Sequence, residues 1–206
     1  MARFGWVLLC LLISAILAFL VSWQAPKKAD TLALSTIMVR SGGGHGSGVQ
    51  VAPGYFLTAA HVLNGNPVVV TSMGKEAPAE VLWASKEYDI ALLRAALPDV
   101  GVSPLNCAQA QTGLSVKAIG NPGPFEFVHS WGRISNSDPK ERGPWKSTII
   151  VDVTAGPGSS GGPVFDMKGG VVGIVVAYAP QFPGFMLVVP SQSVCALVLR
   201  NPINKA

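Results

Sequence analysis

Beyond residue 35 the chain is a succession of short β-prone runs, each closed by glycine, proline or another turn-former. This punctuation limits the fold more than any other feature, because no stretch there keeps a helical period long enough to build a bundle. Runs at 36–40, 48–51, 55–58, 68–71, 79–83 and 90–94 form a first group of strands. A segment of small residues with two prolines, 95–105 (AALPDVGVSPL), reads as a connector. Runs at 116–120, 126–134, 147–153, 163–166, 170–178 and 185–189 form a second group. Ser191 is placed to cap a final helix reaching Arg200. With 23 Gly, 16 Pro and only 13% charged residues, the composition suits strands and tight turns. No fixed-period repeat is visible. The expected fold is all-β, two six-stranded antiparallel barrels packed together with a short C-terminal helix.

The first 25 residues are of another kind. Residues 4–23 (FGWVLLCLLISAILAFLVSW) carry no charge, and as a helix rising 1.5 Å per residue they cover roughly the 30 Å hydrocarbon core of a bilayer. Trp6 and Trp23 fall near the two interfaces. A cleaved signal peptide is disfavoured, since Ala25 has bulky Trp23 two positions before it and Pro26 after it. The expected organisation is an anchor at 1–25, a tether at 26–34 and a domain at 35–206. Within the domain the first barrel spans about 35–95, the second about 106–190 and the helix 191–200. Arg3 on one flank and Lys27 and Lys28 on the other nearly cancel the charge rule for orientation.

A net charge of +4 with scattered Lys and Arg gives no basic face for nucleic acid. Cys107 and Cys195 fit one bridge or two thiols in the core equally well. Three dispersed histidines offer no metal-site spacing, and no cofactor is expected. His45 reads as part of a flexible glycine loop and His129 as a surface residue.

Three short segments carry chemistry. In 155–165 (AGPGSSGGPVF) Ser160 sits in a turn among Gly158, Gly161 and Gly162. Acyl transfer needs an exposed hydroxyl and N–H groups aimed at a developing oxyanion, and glycines permit the backbone to aim them. Gly158 and Ser160 are the natural donors. A serine needs an adjacent base, and His61 follows the apolar run that ends at Thr58. Asp89, just before the apolar run 90–93, is placed to hold an imidazole tautomer. The order His, Asp, Ser, with the first two in one group of strands and the third in the other, predicts a site between the barrels. That order is borrowed from a known template of serine proteases.

On these residues the chain resembles the trypsin-like peptidases, and within them the HtrA/Deg type. The matching pieces are 46–48 (GSG), 57–62 (LTAAHV), 89–93 (DIALL), 118–122 (AIGNP), 132–135, Asp152, 157–163, 173–174 and 190–191, in family order across roughly 37–192. The resemblance implies His61 as general base, Asp89 as its orienting partner and Ser160 as nucleophile, with the backbone of Gly158 and Ser160 as oxyanion hole. It further implies Thr154 at the floor of the primary pocket, lined by Val176, Ala177 and Tyr178, which pair with substrate as an added strand. With no acid at that floor, small or medium apolar side chains are the expected preference.

The sequence departs from the digestive enzymes in having no Ile-Val-Gly-Gly-like start and in carrying Ser159 where they keep an aspartate. The polar segment 136–146 (NSDPKERGPWK) is expected to be a mobile regulatory loop. No PDZ domain is expected after the peptidase-like part of the sequence, although the resemblance is to a family in which many members carry one. The expected activity is serine endopeptidase, acting on protein or peptide substrates from a single-pass anchor on the periplasmic side. A homo-oligomer is compatible with the sequence. The rival reading is a catalytically silent, membrane-tethered module that binds peptides.

Overall fold

The computed structural model describes residues 31–179 and 182–201. The apolar run at 4–23, its anchor role and most of the tether lie outside these residues. Among the described residues no helix is long and apolar enough to cross a membrane. A single helical turn, α1 (Thr31–Ser35), occupies the end of the expected tether and precedes β1 (Thr36–Ser41).

The first barrel continues with β2 (Gly44–Ala52), β3 (Tyr55–Thr58), β4 (Val69–Ser72), β5 (Lys75–Ser85) and β6 (Ile90–Ala95). The second comprises β7 (Ser115–Gly120), β8 (Val128–Arg142), β9 (Trp145–Asp152), β10 (Pro163–Asp166), β11 (Val171–Tyr178) and β12 (Phe185–Pro190), followed by α2 (Ser191–Arg200). Around the first barrel the order is β1-β2-β3-β6-β5-β4, and around the second β10-β11-β12-β9-β8-β7, both closed. Reversing the second order gives the same path, so the two barrels share one topology although the sequence shows no repeat. All strand pairings are antiparallel.

Alternation along β1 places Ile37 and Val39 in one apolar core, which they share with Val49 of β2 and Leu92 and Leu93 of β6. That core runs on into Ile174, Val176 and Val189 of the second barrel, which makes the contact between barrels continuous. A second core inside the other barrel gathers Val116, Ile134, Ile149, Val151 and Val188. Strand β11 is buried along 171–176 because it divides between the two, Val172 and Val175 facing the second core and Ile174 and Val176 the first. The connector is anchored by buried Gln50, whose Nε2 donates to the carbonyls of Val100 and Gly101. Cys107 and Cys195 form a disulfide that ties the connector's end to α2.

Three local expectations change. Ser191 does not cap α2, since its hydroxyl donates to the Val171 carbonyl at 2.6 Å and Pro190 holds the cap position. His45 lies in β2 rather than in a loop, because a two-residue turn at Gly42–Gly43 brings it into register with Arg40. Segment 136–146, expected to be a loop, is the end of the β8–β9 hairpin, where Arg142 Nη1 donates to Thr148 Oγ1 at 3.2 Å and Trp145 pairs with Arg142.

Gly132 of β8 marks where the second barrel is tightest: a Cβ there would fall 1.5 Å from the Asp152 carbonyl oxygen. Backbone cannot yield as a flexible side chain does. Gly132→Ala is expected to destabilise the fold by on the order of 3 kcal/mol, read as a lower urea midpoint with unchanged slope.

Candidate active site between the barrels

The chain reverses after β3 through a 3-10 turn, Ala60–Val62, that carries His61. Asp89 ends the β5–β6 turn, with its backbone in the left-handed region (φ 57°), a conformation an aspartate tolerates better than most residues. Its carbonyl accepts from Ala60 N–H at 3.1 Å, and its Oδ1 accepts from His61 N–H at 2.8 Å. Oδ2 meets His61 Nδ1 at 2.6 Å. An ionised carboxylate only accepts, so Nδ1 carries the proton and Nε2 is left as the basic nitrogen. The Asp89 side chain is 7% exposed and that of His61 49%, so the pair joins a buried anion to a half-open ring. The hydrogen bond and then the charge of Asp89 raise the imidazole pKa above its ordinary 6.5, against the opposing effect of burial.

Ser160 comes from the second barrel, in the turn before β10, and is half-buried. Its carbonyl accepts from Ser47 N–H of β2 at 2.7 Å. A Cβ on Gly46 would meet both Val62 Cγ2, at 2.5 Å, and the Ser160 carbonyl oxygen, at 2.9 Å, which sets the serine backbone against the residue next to His61. Among the described residues no hydrogen bond joins His61 Nε2 to Ser160 Oγ.

Within the turn, Ser159 N–H donates to Gly156 O, Gly161 N–H to Val175 O and Gly162 N–H to Ser159 O. The N–H groups of Gly158 and Ser160 have no acceptor among the described residues. Such groups in a folded chain call for a partner from outside it. Gly158 has φ 97°, and a Cβ on it would fall 2.3 Å from Asn121 O and 2.6 Å from His45 Nε2, so the position admits only glycine.

The turn is braced by residues that sequence reasoning did not single out. Ser47 Oγ donates to Gly158 O at 2.8 Å and accepts from Asn121 N and Nδ2 at 2.9 and 3.1 Å. Asn121 is fully buried, and its carbonyl accepts from His45 Nε2 at 2.9 Å. Ser47 and Asn121 stood in the GSG and AIGNP segments, but only their burial and partners reveal this role.

The residues expected to line one pocket divide between two. Thr154 is exposed, its N–H donates to Ser130 Oγ at 2.7 Å, and with Ser159 and Val175 it lines a cavity of about 10 Å³. Val176 instead lines a cavity of about 820 Å³ with His61, Asp89, Leu63, Val68 and Trp145. Ala177 and Tyr178 pair with Leu187 and Met186 of β12. Opposite β12, the edge of β11 beyond Val175 has no strand partner among the described residues. No group of three or more His, Cys, Asp or Glu among the described residues could hold a metal ion.

A family model of the trypsin-like peptidase domain matches residues 46–174. The "probable periplasmic serine endoprotease DegP-like" of Hahella chejuensis is 35% identical over 148 residues, which are 68% of this chain and 31% of that protein. The chain thus spans about a third of the length of such curated relatives. Rv3671c from M. tuberculosis H37Rv, in an inactive form, superimposes with a TM-score of 0.72 at 25% identity, covering 85% of this chain and 90% of that one. The serine endoprotease of Yersinia pestis gives 0.73 at 24% identity over 88% and 69%. With a family match across more than half its length, on two closed barrels of one topology, this chain belongs to the trypsin-like peptidase family.

Proposed function

We propose that the chain is a serine endopeptidase of the HtrA/Deg type. The observation that carries this reading is the His61–Asp89 pair on one barrel together with a turn on the other in which, among the described residues, the N–H groups of Gly158 and Ser160 lack acceptors. Ser160 Oγ attacks the scissile carbonyl and passes its proton to His61 Nε2, while the two N–H groups receive the oxyanion. His61 then protonates the leaving amine. Water, deprotonated by the same nitrogen, attacks the acyl-enzyme, and the imidazolium so formed returns the proton to the departing Ser160 Oγ. The substrate backbone adds to the open edge of β11 at Val176–Tyr178. The lining at Thr154 carries no charged residue, and that absence of charge is the ground for proposing small or medium apolar side chains. Peptides with valine before the scissile bond are expected to exceed those with arginine by at least about 10-fold in kcat/KM.

Residues 4–23 serve as a membrane anchor in this reading, with the peptidase on the periplasmic side. The Cys107–Cys195 disulfide suits an oxidising compartment, and the relatives are named as periplasmic. The missing His61–Ser160 bond favours a second reading, a silent peptide-binding module, although catalytic hydrogen bonds often tighten only with substrate. Full-length protein treated with a fluorophosphonate probe decides between them. Labelling that is absent in Ser160→Ala supports the peptidase, whereas wild-type protein that neither labels nor cleaves casein is the silent module.

A further inference from the structure

The buried carboxylate of Asp89 has a third donor, and it comes from the other barrel. Trp145, the first residue of β9, donates its indole Nε1–H to Asp89 Oδ2 at 3.1 Å, the same oxygen that accepts from His61 Nδ1. Asp89 lies on the first barrel, so this bond crosses the interface. The next residue anchors the crossing: Lys146 N–H donates to the Glu87 carbonyl at 2.9 Å, Lys146 Nζ pairs with the Glu87 carboxylate, and the same ammonium lies 5.9 Å from the Tyr88 ring. The charged groups on the elements that meet here are Lys86 and Glu87 on its own turn and Lys146 on the hairpin, whose ammonium pairs with Glu87 and not with the carboxylate. Among the described residues only His61 and Trp145 donate to it.

We infer that Trp145 is a positioning residue of the active site, holding the Asp89 carboxylate for His61 from across the barrel interface. Asp89 sits in a left-handed backbone conformation that persists where the surrounding structure holds it. Two donors from His61 fix the carboxylate only relative to His61 itself. The indole adds a reference point outside that pair and shares the negative charge on Oδ2. Losing it leaves more of that charge to the imidazolium and frees the carboxylate to rotate. The raised imidazole pKa then rises further while turnover falls.

This inference rests on the proposed catalytic roles, and its test separates the two. In full-length Trp145→Phe, which keeps the ring but not the donor, fluorophosphonate labelling at neutral pH is expected to slow about 3- to 10-fold, the loss of one hydrogen bond. The acid limb of its pH profile is expected to move up by as much as about half a unit. Trp145→Gln, whose amide donor has similar reach, restores most of the rate. Lys146→Ala keeps the wild-type limb. In ¹⁵N-labelled wild-type protein the Trp145 indole resonance titrates with the midpoint of His61, a readout that needs no variant to fold. Wild-type rate and limb in Trp145→Phe, the same limb shift in Lys146→Ala, or a flat indole resonance each overturn the inference. Labelling that persists in Ser160→Ala instead removes the catalytic assignment beneath it.

Discussion

Ser160→Ala is expected to lower casein turnover about 10⁶-fold, close to 8 kcal/mol of transition-state stabilisation, while the melting temperature stays that of wild type. The size follows from what the hydroxyl alone supplies. Without Oγ no acyl-enzyme forms, and the covalent route that Ser160 and His61 share is lost. The N–H groups of Gly158 and Ser160 and the β11 edge survive the change, so substrate binding persists. The signature is therefore a collapse of kcat with little change in KM. The fold is indifferent because the Ser160 side chain makes no hydrogen bond among the described residues, whereas its carbonyl, unaffected by the substitution, holds Ser47. Turnover in Ser160→Ala equal to wild type would sink the mechanism.

Asp89→Asn should cost on the order of 10⁴ in kcat at neutral pH. An amide in place of the carboxylate can present an N–H to His61 Nδ1, which favours the tautomer with its proton on Nε2, facing the serine. That tautomer cannot accept the Ser160 proton. The pH profile follows from the same bond. Asp89 raises the His61 pKa above 6.5, and the base works only when neutral, so wild-type kcat/KM climbs with pH through that raised value. In Asp89→Asn both raising influences vanish and only burial, which lowers the pKa, remains. The acid limb is therefore expected at lower pH than in wild type. Stability runs the opposite way. A raised folded-state pKa contributes stability that is fully present below 6.5 and is lost as pH rises through the raised value. The melting-temperature advantage of wild type over Asp89→Asn should thus shrink between acid and neutral pH. An acid limb that does not move in the variant would show that Asp89 is not what tunes His61.

Much of the architecture was legible in the chain. Period-two burial in β1 is a local property, and α2 was legible as a short final helix. The edges were less so. Strands β5 and β8 run past their apolar parts because the partner strand satisfies the backbone whatever side chains it carries. The polar stretch 136–146 looked like a loop for that reason. His45 looked like loop because a window of glycines hides that two of them make a tight turn and the others belong to a strand.

The residue types proposed for the candidate site, their order along the chain and the glycines of its turn were read from the sequence, because each depends on chemistry or backbone freedom within a few residues. Tertiary structure alone decided the rest. It gave the two barrels one strand order, paired Cys107 with Cys195, and separated Thr154 and Val176 into different cavities. It also brought Trp145 to Asp89 across 56 residues of chain. Closure of a barrel sets registers between strands that are far apart in sequence, and the contacts across two barrels follow from those registers. No local window contains them.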